Sequence, residues 1–474
     1  MSIKNLSSFI PSLGFLDGIV QKNQLHSIIQ LPMIEQLLYN RAFMDRTEWD
    51  AGNGETRTFN RESTLAVDTK PATPGIDPVG AVNKYEQYKA QCTAWNKGVD
   101  IDLKVSAAAL PGHFAKKVNL LGVNSAQTMN ALYRQKLFAA YCGGHAVANN
   151  TSGAGTTLEV SSILGFTENM KDSLLLDVGP TNAKPILIGA STYALVIAAT
   201  PASAAFPYGA GTLTLSANTA YNAGDSVVAM DAPVIIYAGG GTSVDNIGDG
   251  DVLTPKAIRD AVSVLKKYGT PRAANQRYEC HIGSKGSNDM FDANELQRML
   301  QSRDSEQVRD FMLGSAYGCD FIDNNFSPDE GNSGNQQDSR PDDAPLAKLA
   351  DGIYGEVVNK AGVKIERTVI FGGGCGELLY KPPGQFMSAA GMQGEIIGGF
   401  KVNADNMSTV IDDAIRFIIN KPQNKLQDKV STVWEFIGDQ VVPSDLYGGG
   451  YNPQKPVATT RNARYKRAVV IVHA

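Results

Sequence analysis

Helical and strand patterns alternate irregularly along this 474-residue chain, without a strand–helix–strand repeat, and that predicts an α+β fold. Three observations carry the expectation. Residues 125–142 place Met129, Leu132, Tyr133, Leu137, Phe138 and Tyr141 at helical spacing and stop at Gly143 and Gly144. Residues 158–238 change to short apolar runs (LLLDV, PILIG, YALVIAA, TLTLS, SVVAM, PVIIYA) separated by Gly, Pro, Asn and Asp. Nearer the start, two long strand-like runs flank a segment rich in Pro and Gly.

In chain order, residues 1–47 hold scattered apolar side chains, among them Phe9, Phe15, Ile28 and Ile29, without a sustained period, and read as an arm that packs on something. Residues 48–104 read as an extended hairpin: GETRTFNRE rises, YEQYKAQCTAWNKGVDIDL returns, and AVDTKPATPGIDPVGAVN forms a polar tip. A two-stranded ribbon is marginal by itself in water, so it needs a partner surface. The side chains expected to make that contact are Phe59, Arg61, Pro74, Tyr85, Tyr88 and Trp95, with Phe9 and Phe15 from the arm.

Residues 105–157 carry the long helix, and 158–240 read as a small β-domain inserted into the main fold, with hairpin chemistry at Leu213/Leu215 and in the NAGDS turn. A body at 241–400 opens on GGGTSVDNIGDGDV as a return linker. Thr254 then serves as N-cap, with Pro255 in the first turn and Ile258, Ala261, Val262, Leu265 and Tyr268 on one face. RYECHI reads as a strand, 292–312 as mostly helix, and SPDEGNSGNQQDSRPDDAP as an acidic solvated loop. Residues 401–474 return through the strands STVWEFIGDQVV and RAVVIV, with a helix expected around 405–418.

Composition removes several function classes. Lys and Arg number 43 against 48 Asp and Glu, a net charge of -5, which argues against a nucleic-acid coat held by counterion release. Residues 185–224 carry no charge, but Pro and Gly interrupt them and the continuous apolar core is far short of the roughly 20 residues a bilayer requires. Five cysteines without a CxxC pair, and no signal-peptide pattern in the first residues, lead to the expectation of reduced thiols in a protein made in the cytosol.

Catalytic patterns are weak throughout. The five histidines are scattered; Cys142-Gly-Gly-His145 has ligand-like spacing without a second pair, and Cys280 with His281 reads as a core thiol beside a surface imidazole. DNIGDGD lacks the ligand alternation and closing Glu of a calcium loop. Gly372-Gly373-Gly374-Cys375-Gly376 follows a strand without a phosphate-binding signature, and reads as a close-packed turn. Asp342-Asp343 and Asp412-Asp413 read as surface charge, and Arg461, Arg464, Lys466 and Arg467 as a charged strand edge. No catalytic residue, cofactor or metal site is expected.

Taken in order, TRTFNR with its Pro/Gly tip, YEQYKAQCTAWNKGVDIDL, SAQTMNALYRQKLFAAY, LTPKAIRDAVSVLKKYGTPR, and DKVSTVWEFIGDQVV with ARYKRAVVIVHA resemble the tailed-bacteriophage major capsid proteins of the Hong Kong 97-like fold. The likeness is greatest to the branch typified by the coliphage N-four coat protein. In that resemblance the hairpin is the E-loop, the long helix is the spine of the P-domain, and 241–400 is the A-domain. The β-insertion departs from the minimal fold.

The resemblance implies a non-enzymatic shell protein. Copies assemble as hexamers and pentamers in the host cytoplasm, with a separate scaffolding protein, a portal and in some cases a decoration protein. The virion capsid so formed encloses double-stranded DNA without sequence-specific binding and without a membrane. Two alternatives stand beside it: an encapsulin-type nanocompartment, which would enclose cargo enzymes, and a β-rich carbohydrate-active enzyme, which would be monomeric with paired carboxylates in a cleft.

Overall fold

A computed structural model describes residues 29–30, 37–49, 56–62, 75, 77, 80, 85–102, 112–171, 174–202, 210–273, 275–301, 314–324, 357–358, 362–381, 395–397, 400–402, 406–411, 414–421, 429–442 and 466–474. The expectations for residues 1–28, the acidic loop, both paired-Asp sites and Arg461 and Arg464 lie outside these residues. Architecture is mixed α and β, in two compact units: 1–57, 90–133 and 377–440 in the first, 58–89, 134–376 and 441–474 in the second.

The long helix α1 (Gly112–Cys142) has 31 residues, about 46 Å at 1.5 Å per residue, and contributes to both units. It starts well before residue 125, where the sequence pattern placed it. Phe114, Val118, Leu121, Ser125 and Met129 are buried at intervals of three or four, but Lys116, Lys117 and Gly122 dilute that stripe in the sequence. Gly122 has a packing reason: a Cβ there would lie 3.2 Å from the carbonyl oxygen of buried Ile29. That close approach offsets the roughly 1 kcal/mol by which Gly weakens a helix interior.

In the first unit the described end of the arm packs on α1. The 3-10 turn Tyr39–Phe43 buries Tyr39, Ala42 and Phe43. The Tyr39 N–H donates to Asn130 Oδ1 at 2.9 Å, and the Phe43 ring lies 4.9 Å from that of Tyr133. An eight-stranded sheet runs Asp45–Glu48, Glu377–Tyr380, Lys429–Val441, Ile415–Asn420, Asn406–Ile411, Phe400–Val402 and Glu395–Ile397, with Thr93–Asp102 also on Lys429–Val441. The helix expected around 405–418 is therefore corrected to an antiparallel hairpin, Asn406–Ile411 against Ile415–Asn420. Ile415, Phe417 and Ile419 are buried at period two, and β-branched side chains at Val410, Ile411, Ile415, Ile418 and Ile419 suit a pleated strand.

The second unit holds a seven-stranded sheet, ordered Ile235–Tyr237, Ala468–His473, Lys364–Phe371, Tyr278–Ile282, Cys319–Asp323 and Ser315–Ala316, with Val357–Val358 on Lys364–Phe371. Helix α2 (Pro255–Lys267) begins as its cap predicts, Thr254 Oγ1 accepting from the Ala257 N–H at 3.3 Å. It buries Ile258, Ala261, Val262 and Leu265 in one core with Tyr278, Cys280, Ile282, Val469 and Ile471. The helix expected over 292–312 starts earlier and in two pieces, α3 (Ser284–Asp292) and α4 (Asn294–Gln301), separated at Ala293, whose ψ of 118° is extended, and 302–312 lie outside the described residues. Ala468–His473 is an interior strand with every residue buried, which corrects the charged-edge reading of its start. Lys466 Nζ donates to the Ala232 carbonyl at 3.0 Å and Arg467 to that of Gly374 at 2.9 Å, so both cations serve as carbonyl clamps.

The segment expected as an insertion forms a six-stranded antiparallel sheet: His145–Val147, Ser226–Ala229, Lys184–Ile188, Thr192–Pro201, Gly211–Tyr221 and Ser152–Val160. Its own core includes Leu158, Phe166, Ile186, Val196, Leu213 and Val227. The sheet opens at His145, and the run PVIIYA leaves it, since Ile235–Tyr237 pairs parallel to Ala468–His473. Ile235, Ile236 and Tyr237 are each half-buried there, at the end of the strand order.

Candidate assembly interface

Strands Thr56–Glu62 and Tyr85–Gln91 form a two-stranded sheet to which no other strand is added among the described residues. Seven residues each give a ribbon about 23 Å long. At its base the Arg57 guanidinium donates to the Glu48 carbonyl at 3.1 Å, while Gly75, Asp77 and Gly80 between the strands are exposed. Gly75 has φ +84°, a left-handed turn conformation that glycine adopts without strain, and a Cβ at Gly75 or Gly80 would meet nothing within 4 Å.

The returning run is one segment in sequence but serves two sheets. Cys92 separates Tyr85–Gln91 from Thr93–Asp102, which pairs over its whole length with Lys429–Val441, from Thr93↔Gly438 to Asp102↔Lys429. Among the described residues the other side of Thr93–Asp102 has no strand, so it is an edge. Exposed Lys97 and Asp100 charge that edge, as edge strands protected from indiscriminate pairing commonly are. Trp95 lies opposite buried Phe436, is itself half-buried, and its indole N–H donates to Thr93 Oγ1 at 3.2 Å.

Of the residues singled out from the sequence, Phe59 is half-buried on the first hairpin strand and Trp95 half-buried on the edge strand. Arg61, Tyr85 and Tyr88 are placed on the hairpin by the backbone alone. Phe9, Phe15 and Pro74 lie outside the described residues. Sequence reasoning missed Arg57, whose only signal was a long cation at the foot of a strand, and the turnover at Cys92, which has no signal in a continuous β pattern.

Burial pushes the Cys142 thiol up to about 11 and the Cys319 thiol up to about 12, and raises Cys280 well above its ordinary value, which suits packing rather than nucleophilic chemistry. His145 Nε2 lies 2.7 Å from the Pro233 carbonyl and burial pushes this imidazole down to about 4. His281 is fully buried, with Nδ1 2.9 Å from Asn324 Nδ2 and its ring 5.0 Å from Phe371, which corrects the surface reading. Both faces of Tyr278–Ile282 are covered, so strand alternation does not expose it. No group of three His, Cys, Asp or Glu that could hold a metal occurs among the described residues, and none of the described helices is long and apolar enough to cross a membrane. At Gly372 a Cβ would lie 2.2 Å from the Pro271 carbonyl, the close-packed turn expected. The Gly373 and Gly374 carbonyls receive the Arg467 guanidinium, the opposite polarity to a phosphate cradle.

No family model and no curated protein matches this chain. Among solved structures it is similar to the capsid of Ralstonia phage GP4, at 11% identity and a TM-score of 0.43 over 91% of this chain and 87% of that one. It is similar to the cyanophage Pam1 capsid at 10% identity and 0.42, over 91% and 88%. For the mature capsid of bacteriophage PhiM1 the values are 8% and 0.42, over 90% and 84%.

Proposed function

We propose that this chain is the major capsid protein of a double-stranded DNA tailed bacteriophage, a structural protein that tiles an icosahedral virion shell. The observation that carries the reading is the Thr56–Glu62/Tyr85–Gln91 ribbon, a sheet of two strands with no further strand added to it among the described residues. Such a ribbon gains stability by lying on another copy, so that folding and assembly are partly one event. Element order supports the same reading: hairpin, edge strand, long helix, mixed body and an interior closing strand follow one another as the resemblance to a Hong Kong 97-like subunit implies, with the six-stranded β-sheet added between helix and body.

Repetition explains how such contacts suffice. Weak contacts made many times around a closed shell give a stable particle, and hexamers and pentamers supply the symmetry. A net charge of -5 suits a container that holds DNA without adhering to it. Assembly in the host cytoplasm, a separate scaffold, a portal, a decoration protein and membership of the coliphage N-four branch belong to this proposal and rest on the sequence resemblance.

The test is deletion of residues 67–82, the polar tip. The expected product is a soluble subunit that forms no complete shell under conditions in which the full chain, expressed with any scaffold, gives particles by electron microscopy. Particles of unchanged size from the deletion would overturn the reading.

A further inference from the structure

The six-stranded sheet closes on itself. Just past its two end strands, Ala148 bridges antiparallel to Val160, the Asn149 N–H donates to the Glu159 carbonyl at 2.8 Å, and the Ser161 N–H donates to that of Val147 at 3.0 Å. His145–Val147 is thereby joined to Ser152–Val160 and the sheet becomes a barrel. A closed barrel has no edge to lend to another chain, so its contacts run through outward side chains.

Those side chains are sorted by wall. On one wall Thr212 lies opposite Glu159 and Thr214 opposite Thr157, all polar, while the alternating Leu158, Leu213 and Leu215 fill the core. The other wall is apolar. Tyr193 lies opposite Leu187 and Leu187 opposite Val228; in the next row Leu195 lies opposite Pro185, whose carbonyl accepts from the Met230 N–H at 3.1 Å. Here too the alternating residues, Ile186, Ile188, Val196, Val227 and Ala229, belong to the core. Tyr193 is 70% exposed, Met230 56% and Leu195 45%.

We propose that this apolar wall docks on the same wall of a second copy of the chain, across a two-fold axis. The inference rests on the assembly reading and extends it to the barrel. Two observations choose the occupant. None of the wall's side chains is charged, and the ions that flank it in sequence, Lys184 and Asp231, are buried and paired with each other at 3.3 Å. A nucleic acid or a charged peptide therefore finds no counterion on the wall, whereas an uncharged face meets its own copy without repulsion. The wall is also small: six side chains are about a quarter of the roughly 20–30 residues that a stable interface presents on each side. That is too few to hold a freely diffusing partner, but sufficient between copies that a shell already keeps side by side. The barrel's strands pair within the barrel, so the contact is one of side chains and adds no strand. Its gain is the removal of Tyr193, Met230 and Leu195 from water, aromatic residues and Met being enriched at interface cores.

Cysteine cross-linking of assembled particles tests this. Tyr193→Cys and Met230→Cys particles treated with a short thiol-to-thiol reagent are expected to give chain dimers on denaturing gels, above the background of the native chain and its five cysteines. Thr214→Cys, on the polar wall, is expected to stay at that background. Tyr193→Lys and Leu195→Lys place an ammonium at outward positions. As free subunits they are expected to keep the native denaturation midpoint, and to give fewer complete shells by about an order of magnitude or more, while Thr214→Lys assembles as the native chain does. Native-like shell yields from both lysine variants, or dimers no more abundant than in Thr214→Cys, overturn the docking and leave the assembly reading standing. Cross-links that run only to a different protein of the particle give the wall to that protein and overturn the second copy. A native chain that forms no shell with or without a scaffold overturns the assembly reading, and the docking with it.

Discussion

At Gly372 the chain has room for a hydrogen and nothing larger, because the Pro271 carbonyl, the Thr270 methyl and the Tyr278 ring occupy the place of a side chain. Gly372→Ala is expected to lower stability by about 1–3 kcal/mol, read as a fall in the denaturation midpoint. His473 makes the matching case for charge. It is fully buried, with Nε2 3.1 Å from Thr368 Oγ1, and burial first, then the nearby Lys285 cation, push its imidazole down to about 4 from an ordinary 6.5. The unfolded chain therefore binds more protons between those values. The contribution of neutral His473 is complete above about pH 6.5 and is lost as pH falls toward 4, about 2 kcal/mol of it by pH 5. Urea titrations should show a lower midpoint at pH 5 than at pH 7, with a smaller difference in His473→Asn; equal differences would contradict the assignment.

At the scale of elements, legibility followed local chemistry. Helix α2 could be read to the residue because Thr254, Pro255 and an uninterrupted apolar face agree, and Thr254→Ala should cost about 1 kcal/mol as the cap to the Ala257 N–H is lost. The hairpin and the inserted β-segments were likewise readable from turn residues and alternation. The first half of α1 was not, since Gly122 is chosen for its contact with Ile29 and breaks the helical signal. Residues 406–420 misled because IRFIIN carries both periods and only pairing across the hairpin decides between them. The interior place of Ala468–His473, and the change of sheet at Cys92, depend on partners about a hundred or more residues away. The residues proposed for the interface were the least legible: Phe59 and Trp95 are half-buried, an exposure that sequence alone does not distinguish from an ordinary strand face.

For the molecule as a whole, the described end of the arm is buried on its own chain's helix, through Tyr39, Ala42 and Phe43. In the proposed assembly, the described segment whose stability is assigned to burial by a neighbouring copy is the ribbon. Hydrogen exchange of the backbone amides in Thr56–Glu62 and Tyr85–Gln91, measured on the free subunit and on assembled shells, tests that requirement most directly. Slowing by an order of magnitude or more on assembly, confined to these strands and their contacts, is the predicted result. Equal and strong protection in the free subunit would contradict it, for the ribbon would then be stable without a neighbour.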